Sequence, residues 1–453
     1  MFAIDWRRLP LMCVVALFTV SAHAVVTPQD AARLEKDLTP LGGERQGNTA
    51  GTIPGWSGGL TSPPQNYTLG GAHPDPYAND AISFAIDGSN VARFADKLSP
   101  GHIALLKKYP DMKLNVYPTR RSAAFPARTY ETTRKNATTA KLADGSDVLN
   151  DAAEGFPFPL PQSGAEAIWN HKLKYRGIAL SRWWNQAAPT ASGQFVLARV
   201  REEFLFPYFR QGSTLSAIDN VFSYYFQSVE SPARLAGNMQ VVHETLNPTV
   251  SPRDVWLYNA GQRRVRRAPN VAYDNPGTAS EGLRTNDMLD MFNGALDRYD
   301  WKLVGKRELF VPYNAYRADA SELKPEDLVK AGHLAPQHLR YELHRVWVVE
   351  ATLKTGQRHI NPRRTYYLDE DSWQILVADH YDAKGKLWRV SEAHVINYYE
   401  VPMVSPTLEV HYDLLTGRYL VSGLDNQEEQ LNFSLQRTPA DFAPAALRTR
   451  GIQ

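Results

Sequence analysis

One cysteine occurs in the 453 residues, Cys13. It lies in the apolar stretch 11–20 (LMCVVALFTV), after Arg7 and Arg8 and before Ser21-Ala22-His23-Ala24. A basic start, an apolar run of roughly 7–15 residues and a small-x-small site together describe a secretory signal peptide. Such a run falls short of the about 20 apolar residues that span a bilayer. Cleavage is expected after Ala24, leaving Val25 as the first residue. Met12, just before Cys13, is too large for a lipoprotein signal, so no lipid anchor is expected. The mature chain then carries no thiol, which excludes disulfides, cysteine-ligated metals and a cysteine nucleophile. An exported chain of this length without disulfides points to a bacterial periplasm, with a large hydrophobic core in place of covalent staples.

No second apolar run approaches membrane-spanning length, and neither sign of charge dominates. Lys and Arg number 50 against 48 Asp and Glu, a net charge of +2. That balance gives no support for nucleic-acid binding, which favours a basic face or an extreme pI. No phosphate loop or dinucleotide fingerprint is present, and no cofactor is expected. Aromatic residues, by contrast, are plentiful, with 10 Trp and 22 Tyr. They suit strand cores or an apolar ligand pocket.

Four segments are expected along the chain: the signal peptide at 1–24, a Gly/Pro-rich and helical segment at 25–190, an antiparallel meander with helical insertions at 191–435, and a weakly ordered tail at 436–453. Residues 27–38 read as a helix capped by Thr27, and 163–173 as one capped by Ser163 with Glu166 three residues on. Two short helical patterns at 91–109 are split at Ser99-Pro100-Gly101. From about 175 onward the pattern turns to strands at 195–201, 221–229, 254–259, 344–353, 364–368, 374–381 and 386–395, rich in Val, Tyr, Trp and Phe. Turns at 258–263, 381–386 and 412–418 share one design: an aromatic strand end, then Asn or Asp, then a Gly suited to positive φ, then a basic residue. Connections this short make an antiparallel meander and exclude parallel crossovers. Met288, Leu289 and Phe292 suggest a helix over 285–298, and Pro325 a fresh helix start within 321–331.

Several patterns that carry chemistry elsewhere are discounted. Gly55-Trp56-Ser57-Gly58-Gly59 matches the serine-hydrolase motif letter for letter, but no strand precedes it and no helix follows. His333, His338 and His344 are interrupted by Pro336, so a shared metal-binding helix face is not expected. Asp369, Glu370 and Asp371 read as a hairpin turn and lack the glycine and distal Glu of a calcium loop. No catalytic residue and no metal site are assigned. The Arg263, Arg264, Arg266, Arg267 cluster is the strongest charge feature. It reads either as a solvated edge kept from aggregating by charge or as a docking patch for an acidic partner or lipid headgroup. Phe222, Tyr224 and Phe226 alternate on one strand face, as do Trp256 with Tyr258 and Trp347 with Val349. These seven are the candidate lining of a ligand cavity, core packing being the alternative.

LEKDLTPLGGERQGNTAGTIPGWSGG near the mature N-terminus resembles the opening signature of a bacterial periplasmic family, domain of unknown function 1329. DVWLYNAGQRRVRRAPNVAYDNP, DMFNGALDRYDWKLVGKRELFVPYN, YELHRVWVVEATLKTGQRH and RRTYYLDEDSWQILVADHYDAKGKLWR resemble its later blocks. The resemblance implies a fold similar to the LolA/LolB lipoprotein carriers: mainly β with helices (α+β), an incomplete antiparallel barrel lidded by helices around an apolar cavity. It further implies carriage of a hydrophobic small molecule or lipid without catalysis, with an exporter of the resistance–nodulation–division type and outer-membrane proteins as partners. A carrier would show a contiguous apolar cavity without clustered perturbed titratable groups. The alternatives are an enzyme on a lipid or glycan substrate, with acids and histidines converging in a polar cleft, and a docking subunit with an exposed apolar patch.

Overall fold

The computed structural model describes residues 26–143, 147–268 and 273–452. The expected signal peptide and its cleavage site lie outside them. Two sheets dominate. The smaller has six strands, in spatial order Arg264–Arg267, Asp254–Asn259, Met239–Thr245, Val221–Ser231, Arg199–Leu205 and Ala179–Trp183, all antiparallel. The larger has ten. Its centre is the meander Tyr341–Leu353, Arg363–Asp369, Ile375–Tyr381, Leu387–Tyr398, Met403–Asp413 and Tyr419–Ser422, with Tyr299–Pro312 also paired to Tyr341–Leu353. Every long pairing is antiparallel; the parallel contact is a single bridge between Tyr341 and Val116.

Register shifts interrupt the large sheet at Leu303/Gly305, Tyr367/Leu368, His380/Tyr381 and His394/Val395. Such bulges bend strands and strengthen their twist, which curls the meander into an incomplete barrel. The chain crosses between the sheets more than once: at the corner after Trp183, from Ala187 back to Arg199, and from Arg267 to Tyr299. Trp183 ends a strand of the small sheet, and Gln186 opens a two-residue strand of the large one. Asn185 holds that corner: its side chain accepts from the Val200 amide at 3.1 Å, and its carbonyl accepts from the Gly423 and Leu424 amides.

Helix Pro100–Lys108 covers one face of the large sheet, burying Leu105 and Leu106 against Val390, Val410 and Leu343. Gly101 makes this possible, because a Cβ there would meet Asp379 Oδ1 at 2.2 Å. The largest apolar cluster fills the space between the sheets and takes in Trp169 and Ile168 of helix Gly164–Lys172. Ser163 caps that helix as expected, accepting from the Glu166 amide. Of the three turns, Gly385 and Gly417 take positive φ; in the first, Arg263 takes it at 51° in place of Gly261.

Three expectations are corrected. Residues 285–298 form no α-helix but one 3-10 turn, Asn286–Met288. Asp290 and Met291 sit at φ 51° and 65°, because Asp290 is drawn to Lys174 and Arg176 while its carbonyl accepts from the His171 ring at 2.7 Å. The helix expected at 27–38 is a four-residue turn, Pro28–Ala31, with the Thr27 cap and a following 3-10 turn. The tail is ordered: helix Pro444–Ile452 lies on the outer face of the small sheet, with Phe442 and Leu447 fully buried against it.

Candidate functional site between the sheets

Successive residues of a strand face opposite sides of its sheet, and partners across strands stand side by side. Two neighbouring rows cross the inner face of the small sheet. One is apolar: Leu180, Phe204, Tyr225, Val242 and Val255 are successive register partners. The next is polar at its centre: Arg182, Glu202, Gln227, Gln240, Leu257 and Arg266 are partners across all six strands. Side chains bond along it. Arg182 Nε donates to Glu202 Oε2 at 2.8 Å, Gln227 Nε2 to Glu202 Oε1 at 3.3 Å, and Gln240 Nε2 to Gln227 Oε1 at 2.9 Å. Tyr225 spans both rows, its hydroxyl donating to Glu202 Oε1 at 2.6 Å. Burial, then the Glu202 charge, pushes that phenol well above its ordinary pKa.

At the buried end of these rows the two sheets enclose a cavity of about 40 Å³. Its apolar wall includes Leu180, Phe204, Phe206, Phe222, Leu289 and Leu431, and its polar wall Arg176, Arg182, Glu244, Asp290 and Glu409. Several of these charges are paired: Arg176 Nη1 donates to Asp290 Oδ2 at 2.8 Å and Arg253 Nε to Glu244 Oε2 at 2.7 Å. Burial, partly offset by Asp290, lowers the Lys174 ammonium to about 8. At the other end the same face opens into a groove of about 490 Å³, lined by Gln227, Val229, Gln240, Leu257, Arg264 and Arg266 among others.

Phe222 is the member of the expected lining that borders the enclosed cavity. A bulge between Val221 and Ser223 breaks the alternation and turns Phe222 to the inner side. Tyr224, Phe226, Trp256 and Tyr258 belong to the cluster beneath the C-terminal helix, on the opposite face; Tyr258 also borders the groove. Trp347 stacks on Trp373 at 5.9 Å beside a shallow depression with Lys306 and Leu38, and Val349 is buried in the main cluster. Within the Arg cluster, Arg264 and Arg266 share the inner face, Arg267 pairs with Asp254, and Arg263 occupies the turn.

The polar row went unread because Glu202-Glu203 resembles a solvated pair. The two residues face opposite ways, and each meets cations: Glu202 meets Arg182, while Glu203 accepts from Arg437 at 2.9 Å and Arg450 at 3.0 Å on the outer side. Arg182, two residues after the buried Leu180 and so on the same strand face, was the available signal for an inward charge.

Titratable side chains also cluster within the large sheet, away from the cavity. Glu392 accepts from the His102 ring at 2.8 Å and from Tyr341 Oη at 2.9 Å; Asp287 accepts from Arg364 at 2.7 Å and meets His359 at 3.1 Å. The discounted histidines stay apart. His333 faces Asp111, and His344 joins Asp369 and Asp371, with ligand atoms within 4.8 Å of one another. Arg121 already holds Asp371 through Nε and Nη2, each at 2.7 Å. Tyr313 and Ser372 hydroxyls donate to Asp369 Oδ2, and His344 Nε2 lies 3.1 Å from Glu342. Burial, then the neighbouring Asp371 charge, raises Asp369 to about 6. Asp369–Asp371 is a hairpin turn as expected, yet it is buried. Ser57 of the hydrolase-like motif sits exposed in an irregular loop.

Among the described residues no helix is long and apolar enough to cross a membrane. The chain is similar to an uncharacterized protein of Pseudomonas aeruginosa, 47% identical over 97% of both sequences. Among solved structures it is similar to a Vibrio parahaemolyticus domain named for outer membrane lipoprotein sorting (14% identity, 62% of this chain and 97% of that one, TM-score 0.43). It is also similar to a LolA superfamily protein of Nitrosomonas europaea (12% identity, 60% and 93%, TM-score 0.36). The model of a family described as protein of unknown function, DUF1329, matches residues 85–448, and the chain belongs to that family.

Proposed function

We propose that this protein is a periplasmic carrier of an amphiphilic, lipid-like cargo, held in the cleft between its two sheets. One observation carries the reading: an apolar row and a polar row lie side by side on one inner face, running from an enclosed cavity to an open groove. An amphiphile needs that juxtaposition. Its chain displaces water from Leu180, Phe204, Phe222 and Tyr225, while its polar end bonds along Gln227 and Gln240. The enclosed part, at about 40 Å³, has room for about one water molecule. Loading therefore needs the cavity walls to move apart. No group in the cleft is asked to make or break a bond. Exchange with an inner-membrane exporter of the resistance–nodulation–division type and with outer-membrane proteins belongs to the same proposal.

Titration with dansyl-undecanoic acid tests it. Micromolar binding is expected, about −8 kcal/mol. Phe204→Glu sets an unpaired charge in the apolar row and should weaken binding at least ten-fold, whereas Trp347→Ala, away from the cleft, should leave it unchanged. Phe222→Trp supplies a second readout, a tryptophan in the cavity wall that bound dansyl should quench. Binding that survives Phe204→Glu in a folded protein, with no quenching in Phe222→Trp, would contradict this site.

A further inference from the structure

We infer that Arg264 and Arg266 form a headgroup subsite that selects an anionic amphiphile, one ending in a carboxylate or phosphate. The inference rests on the carrier reading and names the charge of its cargo. Both arginines lie on edge strand Arg264–Arg267, on the same face as Leu257 and Gln240 and thus at the open end of the polar row. The groove they line contains Arg264, Arg266 and Arg267 and no carboxylate. Arg267 is neutralised by Asp254. The side chains of Arg264 and Arg266 are exposed and make no hydrogen bond or ion pair with any described residue. Gln227 and Gln240 add amide groups beside them.

The spacing suits one extended molecule. The strand of Arg266 lies three strands from that of Tyr225, about 14 Å at about 4.8 Å per strand. A chain anchored near Phe222 and Tyr225 thus reaches the guanidinium groups along the polar row. A charged edge that only discourages strand addition would show no preference among ligands with the same tail.

Paired probes test the inference on the full mature chain: dansyl-undecanoic acid, and its methyl ester, which keeps the tail and loses the charge. The wild type should bind the acid at least ten-fold tighter than the ester at low salt. The preference should shrink in 0.5 M salt, since screening acts over about 3–10 Å in this range. Arg264→Gln/Arg266→Gln should lose the preference while ester affinity stays within two-fold. Equal wild-type affinities, or a preference that persists in the double variant, would overturn the subsite and leave the carrier reading standing. If neither probe binds, the carrier reading fails and the subsite with it.

Discussion

Asp369 shows how much one buried carboxyl settles in this chain. Its Oδ2 accepts two hydroxyl protons, while Oδ1 has no partner and faces His344 Nδ1 at 3.8 Å. With its pKa at about 6 in the folded protein against an ordinary 3.8, the native state holds more protons than the unfolded one between these values. Stability then falls as pH rises through about 4–6 and stays reduced above it. Asp369→Asn keeps an acceptor for Tyr313 and Ser372 and carries no charge. Thermal unfolding should show the variant more stable than wild type at pH 7–8, by on the order of 3 kcal/mol. Near pH 4 the difference should close. A gap independent of pH would mean that folding does not raise the Asp369 pKa. The sequence offered no hint of this burial, because Asp-Glu-Asp at a turn reads as solvated; Arg121, some 250 residues away in sequence, supplies the charge that lets the turn enter the core.

Elements with a local pattern were legible, and elements made by distant contacts were not. Ser163 caps its helix as read, and strands 221–229 and 254–259 lie where Val, Tyr and Phe alternate. Strand 221–229 nonetheless hid its bulge, so strict alternation grouped Phe222 with Tyr224 and Phe226. The C-terminal helix escaped notice because a nine-residue Arg/Pro/Ala-rich segment has little helical stability alone; the sheet face under it supplies the stability. Leu447 lies fully buried there, Arg450 stacks over Phe226 at 4.0 Å, and Tyr258 Oη donates to the Gly451 carbonyl at 3.2 Å. Leu447→Ala should cost about 2–4 kcal/mol. Hydrogen exchange should then quicken in Met239–Thr245 and Asp254–Asn259 while the large sheet keeps its protection. Uniform loss across both sheets would show that the helix supports the whole fold and not one sheet.

At the scale of the whole molecule, the antiparallel meander followed from short turns and strand composition. The division of the strands between two sheets did not, because nothing local marks the corner at Asn185. That division sets the two sheets against each other, and it places the exposed basic cluster on the edge strand of the smaller one. The sheets are joined by the 183–186 corner and by the crossings at 187–199 and 267–299. The most direct test is photolabelling of the mature protein with a diazirine-bearing fatty acid, followed by mapping of the modified peptides. Label should concentrate in residues 199–227 and 403–413, the facing walls of the cleft, and unlabelled fatty acid should compete it away. Competable label confined to other surfaces, such as the depression beside Trp347, would contradict a cargo site between the sheets.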